Sequence, residues 1–193
     1  MRTLLFNPFE KYSDTILIVF GLLFTLIGGY LGFVFNARFD GVIDLHFVKN
    51  VSIFNPLLDI SIDIVTLTIC LFVVGKLINN KTRCIDILSA TMIARIPFYL
   101  ITFFNANNKA YAISERILTL VKSNQINTLE ALDVFYLMLM TFAIIASLIW
   151  SMALLFNGFK TAVNAKETKH TLFFIGILIF AEILSKILII NLN

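Results

Sequence analysis

Long apolar stretches follow one another along the chain, and the first of them, Thr15–Phe35, contains no Asp, Glu, Lys, Arg or His. A helix rises about 1.5 Å per residue, so about 20 apolar residues are enough to cross roughly 30 Å of bilayer hydrocarbon. The pattern therefore predicts membrane-spanning helices. Five such stretches are present, with ends placed to within several residues: Thr15–Phe35, Ile60–Ile78, Cys84–Phe104, Leu132–Phe156 and Thr171–Leu192.

The composition supports this interpretation, because 59% of the residues are hydrophobic and only 14% are charged. A water-soluble domain of this size needs more polar surface. Little of the chain remains once the five helices are counted. We therefore expect one all-α domain over residues 1–193, a polytopic bundle of five transmembrane helices.

The distribution of Lys and Arg predicts the orientation, because basic residues are retained on the cytoplasmic side of a membrane. The count favours a cytoplasmic N-terminus and an outer C-terminus. One side collects Arg2, Lys11, Lys76, Lys81, Arg83, Lys160, Lys166 and Lys169, and the other Arg38, Lys49, Lys109, Arg116 and Lys122. The small net charge of +3, spread over the loops, argues against binding of nucleic acid.

Small residues indicate where helices could pack closely in a bilayer. Gly21, Thr25, Gly28 and Gly32 recur every three or four residues, so they share one face of the first helix. Gly28 and Gly32 form a GxxxG motif. We favour packing within the chain and keep contact between two copies as the alternative.

The second predicted helix has a comparable polar stripe, which consists of Asp59, Asp63, Thr66 and Cys70. Aspartate is costly to expose to lipid, so this stripe should face protein.

Arg95 and Glu182 are ionisable residues deep inside predicted spans, where a charge costs at least about 2.5 kcal/mol. Each lies eleven residues after the cytoplasmic start of its own span, so equal rise places them at equal depth. We therefore expect the two side chains to pair. The full polar network expected here is Arg95, Glu182, Lys186, Asp63 and Asp133. It either fixes the helix register, which we favour, or conducts an ion or proton.

Pro97 should kink the third helix, because proline lacks an amide proton and clashes with the carbonyl four residues earlier. The carbonyl freed in this way would belong to Ile93, within reach of Arg95.

Two loops also show a pattern. The stretch Arg38–Val48 has an Asp-Gly turn and a rough two-residue alternation, which predicts a short hairpin or interfacial ribbon. Asp40, Asp44 and His46 lie within it but lack the spacing of a metal site. Residues 113–122 have the pattern of a helix that lies in the headgroup plane.

Catalytic motifs are absent from the sequence: there is no phosphate-binding glycine loop, no HExxH and no nucleophile elbow. His46 and His170 each stand alone. We therefore expect no enzyme activity, no cofactor and no metal site.

Two segments resemble the Yip family, named after Ypt/Rab-interacting proteins. They are Gly75–Lys81 with Ile85–Leu88 and Ala94–Pro97 in the third-span region, and Trp150–Phe159 at the end of the fourth span. The resemblance implies five spans with the N-terminus inside, in agreement with the charge count. The chain lacks the Asp-Leu-Tyr-Gly-Pro-type motif of the eukaryotic branch, so binding of a Rab-type GTPase is doubtful.

Abundant Ile, Lys, Asn and Phe are typical of an AT-rich bacterial genome, which predicts a bacterial member in the inner (cytoplasmic) membrane. Two functions remain. The favoured one is a non-catalytic membrane protein that organises the bilayer or assembles with itself or with other membrane proteins. The alternative is a small transporter or channel lined by the polar network.

Overall fold

The computed structural model of the protein describes residues 5–123, 129–165 and 167–192. It is an all-α structure with one small hairpin. The helices are α1 Asp14–Val34, α2 Asn55–Ile78, α3 Cys84–Ala94, α4 Ile96–Ile101, α5 Lys109–Lys122, α6 Ala131–Val163 and α7 Thr168–Leu192. The strands are β1 Ala37–Arg38 and β2 His46–Phe47, and short 3-10 helices cover Pro8–Glu10 and Thr102–Asn108.

Five helical segments are long and apolar enough to cross a membrane, namely α1, α2, the run Cys84–Lys122, α6 and α7. This confirms the predicted all-α class and the number of helices that are long and apolar enough to cross a membrane. Helix α2 begins five residues earlier than expected, with Pro56 in its first turn, where no amide donor is needed. The fourth predicted helix also continues past Phe156 to Val163 and ends at Asn164, whose left-handed backbone (φ 54°) caps it.

The third long helix, which comprises α3 and α4 and is called the third helix below, lies at the centre of the bundle. Helices α1, α2 and α6 all pack against α3, and α7 packs against α2. Leu71, Ile87 and Leu155 are fully buried where α2, α3 and α6 meet. The outer sides of α6 and α7 are covered with exposed large apolar residues, as expected for surfaces that face lipid.

The predicted glycine face of α1 packs inside the chain. A Cβ atom at Gly21 would lie 2.8 Å from the Cβ of Met92, and one at Gly28 would lie 2.6 Å from the ring of Tyr99. A Cβ at Gly32 would lie 2.6 Å from Pro56. These three glycines therefore let α1 approach α2 and the third helix, and their face is not free for a second copy.

The second predicted stripe is buried as well. Asp59, Asp63, Thr66 and Cys70 of α2 are all at most 6% exposed. The prediction that this stripe faces protein is confirmed.

The predicted short hairpin is present, and the second predicted loop segment is helical and amphipathic. Strands β1 and β2 pair antiparallel, with Ala37 opposite Phe47 and Arg38 opposite His46. Residues 109–122 form the amphipathic helix α5, with Ile113 buried and Leu118 exposed. The chain enters α5 through Asn108, which has a left-handed backbone that asparagine tolerates well.

Candidate functional site: a loop peptide held between two charged side chains

The third long helix breaks at Arg95, between α3 and α4. Pro97 occupies the first turn of α4 and cannot donate a backbone hydrogen bond there. The predicted kink is therefore an interruption two residues before the proline. At the break, the carbonyl of Ala94 accepts a hydrogen bond of 2.5 Å from the Ser151 hydroxyl. The guanidinium of Arg95 donates to Val42 and Asp63 and not to the carbonyl of Ile93, which lay within its predicted reach.

The guanidinium of Arg95 is nearly fully buried, at 2% exposure. Its Nη2 donates to Oδ2 of Asp63 on α2 at 2.9 Å, and its Nη1 donates to the carbonyl of Val42 at 2.9 Å. The guanidinium carbon also lies 5.9 Å from the ring centroid of Phe39. The predicted direct pairing of Arg95 with Glu182 is therefore wrong, because Arg95 forms its ion pair with the carboxylate of Asp63.

Glu182 of α7 binds the same loop from the other side. Its Oε2 accepts a hydrogen bond of 2.9 Å from the backbone N–H of Ile43, and its Oε1 lies 3.1 Å from Nζ of Lys186. The Val42 carbonyl and the Ile43 amide belong to one peptide group. Arg95 and Glu182 thus hold the two ends of one peptide bond, an arrangement that we call the peptide clamp.

The orientation of this peptide group is the favourable one. Its carbonyl oxygen, which has a partial negative charge, faces the cation, and its N–H faces the carboxylate. Hydrogen bonds to ionised groups are stronger than those between neutral groups. The clamp therefore stabilises the insertion of Val42, which is 3% exposed and belongs to the apolar core.

Gly41 makes this close approach possible. A Cβ atom at this position would lie 2.6 Å from Oε1 of Glu182, inside the van der Waals distance. Any larger residue must displace either the loop or the carboxylate. The sequence around Gly41 indicates only a turn, since nothing local shows that a distant helix contacts this residue.

Further ion pairs hold the loop at its edges. Arg38 donates two hydrogen bonds to Asp59 of α2, at 2.5 and 3.0 Å, and the hydrogen bond to Asp59 raises the pKa of Arg38. Lys186 lies 2.8 Å from Asp44 as well as near Glu182. The loop is thereby tied to both α2 and α7.

His46 pairs with Asp40 across the hairpin. The hydrogen bond to Asp40 raises the pKa of His46 above its usual value, and desolvation opposes this shift only partly. No group of three metal-binding side chains occurs within residues 5–123, 129–165 and 167–192.

Asp133 does not belong to this cluster. Its carboxylate lies 2.6 Å from Nη1 of Arg116 on α5, which also contacts Glu130. The prediction of one network of five residues is therefore wrong in part: Arg95, Asp63, Glu182 and Lys186 gather around the loop, whereas Asp133 anchors α5 to α6. The spacing of ionisable residues within helices could not indicate the loop that lies between them.

Comparison with known proteins adds no family. No protein-family model matches the chain, and neither the curated proteins nor the solved structures give a significant match.

Proposed function

We propose that this chain is a non-catalytic integral membrane protein of the Yip type, with its N-terminus in the cytoplasm and its C-terminus outside. Its role would be to organise the bilayer or to assemble with itself or with other membrane proteins, in a bacterial cytoplasmic membrane. The observation that carries this proposal is the peptide clamp. Arg95 and Glu182, midway along their helices, bind a loop of the chain itself, which is the role expected of charged groups that fix the packing of a bundle.

The surface of the molecule supports the same proposal. The apolar parts of α6 and α7 are each only 22% buried and that of α1 is 33% buried, less than those of α2 and the third helix. The exposed face of α6 repeats large apolar residues every three or four positions, as in Phe135, Met138, Phe142, Ile145 and Ile149. Such a face is stable only against lipid or against another apolar helix.

Native and engineered thiols test the proposed orientation. Cys84 is exposed at the start of α3, whereas Cys70 is buried. A membrane-impermeant maleimide should leave Cys84 unlabelled in intact spheroplasts and label it after permeabilisation. Asn50→Cys, in the exposed opposite loop, is the matched control in a Cys84→Ser background and should be labelled in intact cells. The reverse labelling pattern would refute the orientation.

Co-expression of two differently tagged copies tests assembly. If copies associate, one tag retrieves the other in two unrelated detergents, and cross-linking in native membranes gives a discrete band. A protein that stays monomeric in both detergents, with no cross-linked product in membranes, would contradict the proposal of assembly.

A small permease is the second candidate, because the peptide clamp lies beside a pocket of about 420 Å³ that opens at the surface. Arg38, Asp40, Asp44 and Lys186 line this pocket, so it offers charges of both signs. The broken third helix next to it is a feature of many transporters. If the protein is a permease, the loop held by the peptide clamp would have to leave the bundle to open a path for the solute.

The reactivity of a cysteine at position 42 separates the two candidates. We would place Val42→Cys in a background of Cys70→Ala and Cys84→Ser, with Asn50→Cys as the exposed control. If the peptide clamp stays closed, the thiol at position 42 does not react with impermeant maleimide, while the thiol at position 50 does. Rapid labelling of position 42 in the folded protein, together with dye-monitored proton or potassium flux into proteoliposomes, would favour the permease.

A further inference from the structure

A lateral groove runs between α1 and α6. Its volume is about 500 Å³. Its floor is formed by Leu17, Ile93 and Leu154, all at most 7% exposed, and one rim by the half-exposed Ile16 and Phe20. The lining side chains are almost entirely apolar.

The N-terminal segment forms one wall of this groove and is fastened to α6. The indole N–H of Trp150 donates to the carbonyl of Leu5 at 2.7 Å, and the amide of Asn157 donates to the carbonyl of Phe6 at 2.8 Å. Pro8 and Tyr12 of this segment also line the groove. The groove is therefore a built feature of the fold and not a gap between two loosely packed helices.

We propose that this groove binds one acyl chain of an anionic phospholipid, with the phosphate of the headgroup at Lys11. The inference rests on the proposed insertion of the helices into a membrane.

The length of the groove corresponds to one leaflet. Ile16, Phe20 and Phe24 line it at intervals of four residues, which covers about 12 Å along α1. Tyr12 extends it towards the polar end, and Ile96 closes it beside the break in the third helix. Half of the hydrocarbon core is about 15 Å thick, so the groove reaches from the headgroup level to the middle of the bilayer.

The lining of the groove suits a hydrocarbon chain. Aliphatic and aromatic side chains line it, and its volume of about 500 Å³ leaves room for one extended acyl chain.

The mouth of the groove offers a cation. Lys11 is exposed, and its Nζ lies 5.7 Å from the ring centroid of Tyr12, a residue of the groove wall. The nearby carboxylate of Asp14 is engaged by Arg83 at 2.7 Å. A basic residue near a membrane surface attracts anionic lipids, by about fivefold in binding constant.

Trp150 provides a built-in reporter, because it lines the groove and is the only tryptophan of the chain. We would reconstitute the full chain into vesicles that contain lipid brominated in the acyl chains, either phosphatidylglycerol or phosphatidylcholine. Bromine quenches tryptophan only at contact. The depth-matched control is Trp150→Phe with Ile149→Trp, which moves the reporter by one residue to a position that is 64% exposed.

If the proposal is correct, brominated phosphatidylglycerol quenches Trp150 with an apparent affinity about fivefold above that of brominated phosphatidylcholine. The control tryptophan shows equal quenching by both lipids, and Lys11→Gln removes the difference at Trp150. The same quenching at positions 149 and 150, no preference between lipids, or a preference that survives Lys11→Gln would overturn it. Quenching of the control in every vesicle would still support membrane insertion, so failure of the groove and failure of insertion are distinguishable.

Discussion

The packing of Gly28 against Tyr99 gives the most direct test of the bundle. Gly28→Ala adds one methyl group, whose carbon would lie 2.6–2.7 Å from three atoms of the Tyr99 ring. Carbon atoms in contact prefer about 3.5–4.0 Å. The ring would have to move by about 1 Å, although it is only 2% exposed and its edge already contacts Phe39, with the centroids 5.8 Å apart.

The expected magnitude follows from two opposing effects. Forcing an extra methyl group into a packed core costs about 1–3 kcal/mol. Alanine in place of glycine within a helix returns up to about 1 kcal/mol through its better helix propensity. We therefore expect Gly28→Ala to lower the free energy of unfolding by about 1–2 kcal/mol.

Gly176 of α7 supplies the matched control, because a Cβ atom there would meet nothing within 4 Å. Gly176→Ala changes the helix propensity in the same way without the clash. The free energy of unfolding of each variant would be measured in mixed micelles by titration with a denaturing detergent, with far-ultraviolet circular dichroism and Trp150 fluorescence as probes. The difference between the two variants isolates the overpacking, about 1–3 kcal/mol.

A double variant checks the assigned partner. Tyr99→Leu removes the ring that the new methyl group meets, so Gly28→Ala should cost at least about 1 kcal/mol less in that background. Equal stabilities of Gly28→Ala and Gly176→Ala, or additive effects of Gly28→Ala and Tyr99→Leu, would refute the proposed contact.

Three further predictions concern the polar groups. Asp63→Asn leaves the charge of buried Arg95 without its acid and should destabilise the protein by about 3–5 kcal/mol, and Arg95→Gln added to it should recover part of this loss; strictly additive costs in micelle titrations would contradict the pairing. Protonated His46 is stabilised by Asp40, and its pKa is raised, so this stabilisation is present below about pH 6.5 and is lost as the pH rises through the raised pKa. Thermal unfolding in micelles should show this loss in the native chain and not in His46→Gln, and identical profiles would exclude the effect. Ser151→Ala removes the hydroxyl donor at the break of the third helix and should cost about 1 kcal/mol in the same titration, whereas an unchanged midpoint would show that this hydrogen bond contributes nothing.

Much of the architecture can be predicted from the sequence, because hydrophobicity and helix periodicity are local properties. The apolar run of α1 and the polar stripe of α2 predict both a helix and the face that it buries, and Asp59 and Asp63 are indeed buried. Helix ends are predicted less accurately, since a polar residue such as Asn157 within α6 does not by itself stop a helix.

The equal depth of Arg95 and Glu182 does not by itself identify their partners. Both side chains point to the same place in the bundle, as equal rise along two helices suggests. The loop that meets them there could not be inferred, because its hydrogen bonds join residues that are 53 and 139 positions apart.

The amino-acid sequence by itself determined five long apolar helices, the break near Pro97 and the faces on which glycine and aspartate lie, because each depends on neighbours within a few turns. Only the tertiary structure decided the partner of each charge. It folds the hairpin loop back into the bundle, so that the peptide group of Val42 and Ile43 separates Arg95 from Glu182. That choice depends on the packing of α2, the third helix and α7 around one loop, and no local pattern encodes it.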